Sequence, residues 1–291
     1  MKTRVTCVAF FAAILMLVGG CGGGGGGSSD EGSGTLSMSV TDAKPVIPGD
    51  PTELWITVEA VHAHKSGGGW VTLPLPETPL SINLLAFSDG NTTDLVPPVQ
   101  LHSGKYTQLR FELSRAYMVI GKSAVGIDLD VPSGFLRIDK NFTFDVPDGQ
   151  AVDLTVDFDL SQSIVVSGSV PPEYKLKPVL HLVETQQAAT IHGKIDQGTF
   201  GSSTEAVVTV IWDKDGSRTE TLGDEEYTRV TVTKAPGTNP TEFTIFWLVP
   251  NEDYLVEIDF DKAEPPERTL QVEASKLLSG STYELNTGNL I

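Results

Sequence analysis

The chain has 291 residues, 40% of them hydrophobic, with 20 Lys and Arg against 38 Asp and Glu and a formal net charge of -18. That length accommodates two ordinary domains, and so acidic a surface repels phosphate backbones, which excludes nucleic acid as a partner. The first segment, residues 1–20, reads as a secretory signal: Lys2 and Arg4 precede an apolar run from Val5 to Val18, and small residues close it. The run is shorter than the roughly 20 residues a membrane-spanning helix needs, so it is expected to be a leader and not an anchor. Cys7 lies inside this leader, so the mature chain is expected to keep Cys21 alone, with no disulfide and no Cys-based metal site.

The leader ends in Val18-Gly19-Gly20-Cys21. This resembles the lipobox of bacterial lipoproteins, and the resemblance implies diacylglycerol on the Cys21 thiol, cleavage before it and fatty acylation of the new amino group. Two or three chains, at about 0.8 kcal/mol per buried methylene, hold a protein to a bilayer stably where one does not. An Asp directly after the lipidated Cys favours inner-membrane retention in such proteins; here the residue is Gly22, so an outer-membrane or cell-surface address is expected. Residues 21–34 comprise Cys21 and a Gly-, Ser- and acid-rich stretch. Such composition behaves as flexible coil, with a reach of roughly 20 Å, and is expected to serve as a tether.

Beyond the tether, period-two alternation dominates. It places Leu36, Met38 and Val40 on one side, then Leu54, Ile56 and Val58, then Leu109, Phe111 and Leu113, then Val152, Leu154, Val156, Phe158 and Leu160. Turn-forming stretches such as SGGG, SDGN and VPDG recur between these runs. Only SINLLAFSDG is expected to hold a short helix. A break near VETQQAAT sets the boundary at about Gln186, dividing the chain into residues 35–186 and 187–291. The second part carries seven or so short strands. The expected fold class is all-β, two tandem antiparallel β-sandwiches.

Several blocks in order, GTLSMSVTDA, LWITVEAVHAH, GWVTLPLP, SINLLAFSDG, SGKYTQLRFEL, VDLTVDFDLSQSIVV and YKLKPVLHLVE, give residues 34–184 a resemblance to the bacterial lipoprotein domains grouped as domain of unknown function 4382. The resemblance implies a fold and an address without a reaction. The second part is similar to transthyretin-like or carboxypeptidase-regulatory sandwiches through ATIHGKI and FTIFWLVPNEDYLVEIDF, although VPNEDY lacks the turn glycine of those domains.

Candidate chemistry is sparse. His62 and His64 alternate on one strand and so share a face that two imidazoles could offer to a metal, with no third ligand identifiable. The same pair also reads as ordinary strand-face residues. Asp153, Asp157 and Asp159 form an acidic ladder on the polar face of their strand. Clustered carboxylates suit calcium, and outward acids equally keep a sandwich soluble and unpaired at its edges. WDKDGS looks faintly like a calcium loop through Asp213 and Asp215, and Asp215-Gly216 is first a hairpin turn. Phe246 and Trp247 are adjacent, so alternation cannot point both into one core, and one is expected at a surface or partner interface or, as the plainer reading, at a rim covered by a neighbouring loop or domain. No nucleophile elbow, zinc-protease helix or dinucleotide turn occurs.

The expectation is therefore a non-catalytic, lipid-anchored envelope protein, with no catalytic residue or organic cofactor assigned, that binds the membrane through Cys21 and a protein or glycan at the cell surface. Two alternatives stand beside it: a carboxylate-based hydrolase of polysaccharide, and an adhesion module stiffened by calcium.

Overall fold

The computed structural model describes residues 32–42, 51–121, 126–131, 134–138, 143–260, 270–274 and 277–286; the leader, Cys21 and residues 22–31 of the tether lie outside them. The first half contains β1 (Ser33–Asp42), β2 (Pro51–Lys65), β3 (Trp70–Leu73), β4 (Leu80–Asn83), a 3-10 turn (Leu84–Phe87), β5 (Thr93–His102), β6 (Gly104–Ile120), β7 (Ile127–Asp128), β8 (Phe135–Ile138), β9 (Phe144–Val146), β10 (Ala151–Phe158), the short helix α1 (Leu160–Ser163), β11 (Ile164–Val166), β12 (Tyr174–Leu176) and β13 (Leu180–Glu184). The second half contains β14 (Ala189–Ile195), β15 (Glu205–Trp212), β16 (Glu225–Thr233), β17 (Thr241–Leu248), β18 (Tyr254–Phe260), β19 (Leu270–Ala274) and β20 (Thr282–Asn286). The segment SINLLAFSDG thus splits into β4 and the 3-10 turn. Among the described residues no helix is long and apolar enough to cross a membrane.

Each half is a sandwich with its own core. In the first, the sheet β13-β10-β1-β5 faces a sheet built on the long pair β2 and β6, with β3 and β4 on β2 and β7, β8 and β9 on β6. Leu36, Met38 and Val40 of β1 are buried with Leu54 and Ile56 of β2 and Val156 of β10. The rings of Phe111 and Phe158 meet edge to face across this core, their centroids 6.3 Å apart. Removing either ring would leave a cavity costing about 3–5 kcal/mol. In the second half, β17-β14-β20 packs on β16-β15-β18-β19 around Ile191, Val208, Val210, Ile245, Val256 and Ile258.

Two features depart from the simple alternating, antiparallel expectation. β1 runs parallel to β10, and β14 runs parallel to β20, so each half opens with a strand that pairs alongside one arriving much later. A parallel pair needs a long connection, and here nearly the whole of each sandwich supplies it. In β2 the register against β6 shifts between Val58 and Ala60. The shift is matched by an opposite one between Thr57 and Val58, and both strands change buried parity there: β2 from Leu54, Ile56 and Val58 to Val61 and Ala63, and β6 from Leu109, Phe111 and Leu113 to Ala116 and Met118.

The outward face of the first sandwich is covered at one end. Along β10, Val152, Leu154, Val156 and Phe158 face the core, yet Thr155 and Asp157 on the other face are buried too. Residues 32–291 form one compact unit, and β16 and β17 of the second sandwich lie over this end of β10. The acidic ladder is therefore not a uniformly solvated face: Asp153 is exposed, whereas Asp157 and Asp159 are 2% and 1% exposed.

Candidate functional site at the seam between the sandwiches

A cavity of about 230 Å³ opens where the two sandwiches meet. From the first come Asp42, at the end of β1, Asp157 of β10, and the Asp89-Gly90 turn. From the second come residues of β16 and β17, among them Phe243, Phe246 and Trp247. Thr41 fixes the turn, since its hydroxyl lies 2.9 Å from the Phe87 carbonyl and 2.7 Å from that of Asn91. Gly90 has φ +82° and lies against the Phe246 ring, three atoms of which would be 3.0 Å from any Cβ added there. Only glycine meets both the backbone and the space requirement.

The Phe246-Trp247 pair reaches the cavity through a bulge. β17 keeps register with β14 up to Ile245 opposite Ile191, then resumes with Leu248 opposite Ala189, so three steps on β17 match two on β14. Trp247 takes the left-handed conformation, φ 63°, an outlier for so bulky a residue. The Tyr227 hydroxyl donates to its carbonyl at 3.2 Å. Alternation is broken at this point, which lets adjacent aromatic residues both line the cavity.

Beside the cavity the seam is closed by polar and aromatic contacts. Asp157 stands opposite Thr41 on one side and His181 of β13 on the other. The His181 ring stacks on Tyr227 of β16, centroids 4.0 Å apart. Asp159 caps α1, accepting from the Gln162 backbone N–H at 3.1 Å, and the Gln162 side chain bonds Asp159 at 2.6 Å and reaches the Glu226 carbonyl at 3.3 Å.

Burial governs the electrostatics. It pushes the Asp42 carboxyl well above the ordinary carboxylate value, reinforced by Asp157 and opposed by the Leu160 N–H that donates to Oδ1 at 3.4 Å. The other oxygen, Oδ2, is buried with no hydrogen-bond partner. Burial also raises Asp159 to about 6, against the two donors from Gln162. His181 is pushed down to about 4 by burial, which keeps its imidazole neutral. These directions follow from the cost of holding charge away from water.

The other sequence candidates fall elsewhere. His62 and His64 do share a face of β2: His62 meets Thr72 through Nδ1 at 3.0 Å and Glu112 through Nε2 at 3.2 Å, while His64 lies edge-on to the Trp70 ring at 5.1 Å. Asp153 is hydrogen-bonded by the Ser37 hydroxyl. Neither the histidines nor Asp153, Asp157 and Asp159 belong to a group of three potential ligands; among the described residues that group is Asp213, Asp215 and Asp224, whose oxygens lie within 4.8 Å of one another. Of the ladder, Asp159 turns into a helix cap and Asp157 faces the seam. In the Asp213 group, Asp213 accepts from the N–H groups of Ser217 and Arg218, Asp215 from that of Ser217, and Asp224 from those of Lys214 and Thr221. These carboxylates fold the connection between β15 and β16.

The stretch from Asp89 to His102 reads in the sequence as long enough to line a pocket, and Asp89 and Gly90 of it do line this one; Asp42 and Phe243 carry no such mark. Asp42 reads as a strand end and Gly90 as a turn, and nothing local links them to β17. The adjacent Phe246 and Trp247 were a further legible signal of this surface.

Fold and seam together define an all-β protein of two sandwiches. The profile of the family described as Domain of unknown function (DUF4382) matches residues 33–178, and the chain belongs to that family. Among curated proteins none matches the sequence. Solved structures include a leucine-rich repeat protein from Bacteroides thetaiotaomicron, 13% identical, with 88% of this chain matched to 26% of that one and a TM-score of 0.23. The chain thus spans about a quarter of that protein's length. A proposed adhesin from Bacteroides ovatus is 10% identical over 94% of this chain and 97% of its own, and a proposed cell adhesion protein from the same organism is 10% identical over 86% and 91%; both have TM-scores of 0.23. Scores this low carry no argument about function.

Proposed function

We propose that this is a non-catalytic protein of the bacterial cell envelope, held by lipid on Cys21 at the outer membrane or cell surface, that acts by binding a protein or glycan. The observation that carries the address is the place of Cys21: the lipobox-like Val18-Gly19-Gly20-Cys21 precedes a Gly-rich stretch, and β1 opens at Ser33, so residues 22–32 alone separate the sulfur from the folded body. Acyl chains on that sulfur would hold the sandwiches beside the bilayer.

Binding is favoured over polysaccharide hydrolysis by where the carboxyl groups lie. A glycosidase needs two carboxyls flanking a sugar in an open cleft. The closest counterpart at the seam, Asp42 with Asp157, is 1% and 2% exposed, out of reach of a polymer. Replacing Cys21 by Ala, or treating cells with globomycin, should leave the protein unprocessed or released from membranes. Unchanged fractionation would contradict the anchor. Incubation of the purified protein with envelope glycans should give retention without new reducing ends; new reducing ends would favour the hydrolase.

A further inference from the structure

We propose that the seam cavity is a binding site for a small organic ammonium group, such as a lysine side chain or a free amine of an envelope component. Its composition is one-sided. Asp42, Asp89 and Asp157 line it without any Lys or Arg among the lining residues, and the fourth acid, Glu242, is paired with Lys194 at 3.0 Å. Phe243, Phe246 and Trp247 supply part of the remaining wall, beside residues 230–233, Thr244 and Ile245, and aromatic faces attract a cation when water is displaced from them. Independently of this clustering, Asp42 is 1% exposed and its Oδ2 has no partner. A buried acceptor left unmet is costly, and an ammonium N–H would supply the missing donor.

The wall favours an organic cation over calcium. Calcium takes six to eight oxygens, whereas Val230, Val232, Ile245 and the three aromatic residues make a large part of this lining. The volume of about 230 Å³ is below the usual range for drug-sized ligands and fits a short alkylammonium head. Burial raises the Asp42 carboxyl well above the ordinary carboxylate value, with Asp157 and Asp159 acting in the same direction, and an ammonium seated there would oppose that shift.

This inference deepens the reading of the chain as a binding protein and can fail separately from it. Calorimetric titration of the full chain in detergent with n-butylammonium, n-butanol and calcium tests it. Saturable binding of n-butylammonium is expected, with n-butanol inert and calcium unable to compete. Asp42→Asn and Phe246→Leu should each weaken binding by about tenfold; the second keeps the seam filled should the first disturb the fold. Equal binding of butanol, calcium binding at the same cavity, no ammonium binding at all, or unaltered affinity in both variants would overturn the proposal. Loss of the ammonium site with Cys21-dependent membrane retention and glycan retention intact would remove this ligand class and leave the anchored binding protein standing.

Discussion

Replacing Asp159 by Asn should flatten the dependence of stability on pH. The Asp159 carboxyl is 1% exposed at the seam, and burial raises it from 3.8 to about 6 in the folded chain. A raised value means that the folded state favours the proton. The favourable contribution is complete below the unfolded value near 3.8 and is lost as pH climbs through about 6. A shift of about 2 units corresponds to roughly 3 kcal/mol, of which about 2 kcal/mol falls between pH 4.5 and 8. Asn still accepts the cap bond from the Gln162 N–H, while its amide N–H₂ opposes the Gln162 side chain, a loss of about 1 kcal/mol that does not vary with pH. Glu226, which raises Asp159, and Arg229, which lowers it, are bonded to each other and remain in both proteins. His181, pushed down to about 4, acts with the opposite sign: its contribution is present above 6.5 and is lost as pH falls through about 4. That partly cancels the Asp159 effect in the parent but is common to both chains. Urea unfolding of the two proteins from pH 4.5 to 8 isolates the difference. The variant should gain about 2 kcal/mol on the parent across that range. A difference constant with pH would refute the claim that burial sets the charge state of this group.

Two further substitutions probe the same architecture. Gly90→Ala should destabilise by about 1–2 kcal/mol for the left-handed backbone plus a packing cost against Phe246, and adding Phe246→Leu should recover only the packing part, read from thermal melts. Asp213→Ala strands the N–H groups of Ser217 and Arg218 and should cost about 2–4 kcal/mol, equal in calcium and in chelator. A loss confined to calcium-containing buffer would mean that the Asp213, Asp215 and Asp224 group holds an ion.

The sequence made the strands legible because alternation is a local property: Leu36, Met38 and Val40 are buried as their spacing demands. It failed wherever burial came from a distant segment. Asp157 and Asp159 follow the same polar rhythm as Asp153, and nothing within ten residues of them reports that β16 and β17 lie overhead. The irregularity near Glu59 was invisible for another reason, since it is defined by the pairing with β6 and carries no composition of its own. Phe246 and Trp247 were the reverse case. Their adjacency broke the rhythm in view, and the neighbour that covers Phe246 is the Asp89-Gly90 turn of the first half. The parallel pairing of β1 with β10 had no local mark, because it joins segments more than a hundred residues apart.

That pairing sets how the body would answer a mechanical load. β1 is the first strand after the tether and lies between β10 and β5, bonded along both sides. A pull transmitted from the amino-terminal side along its axis would shear two full ladders of backbone bonds at once, where an edge strand pulled crosswise would peel one bond at a time. The first sandwich is gripped at its centre by the strand through which a load applied from the amino-terminal side would enter.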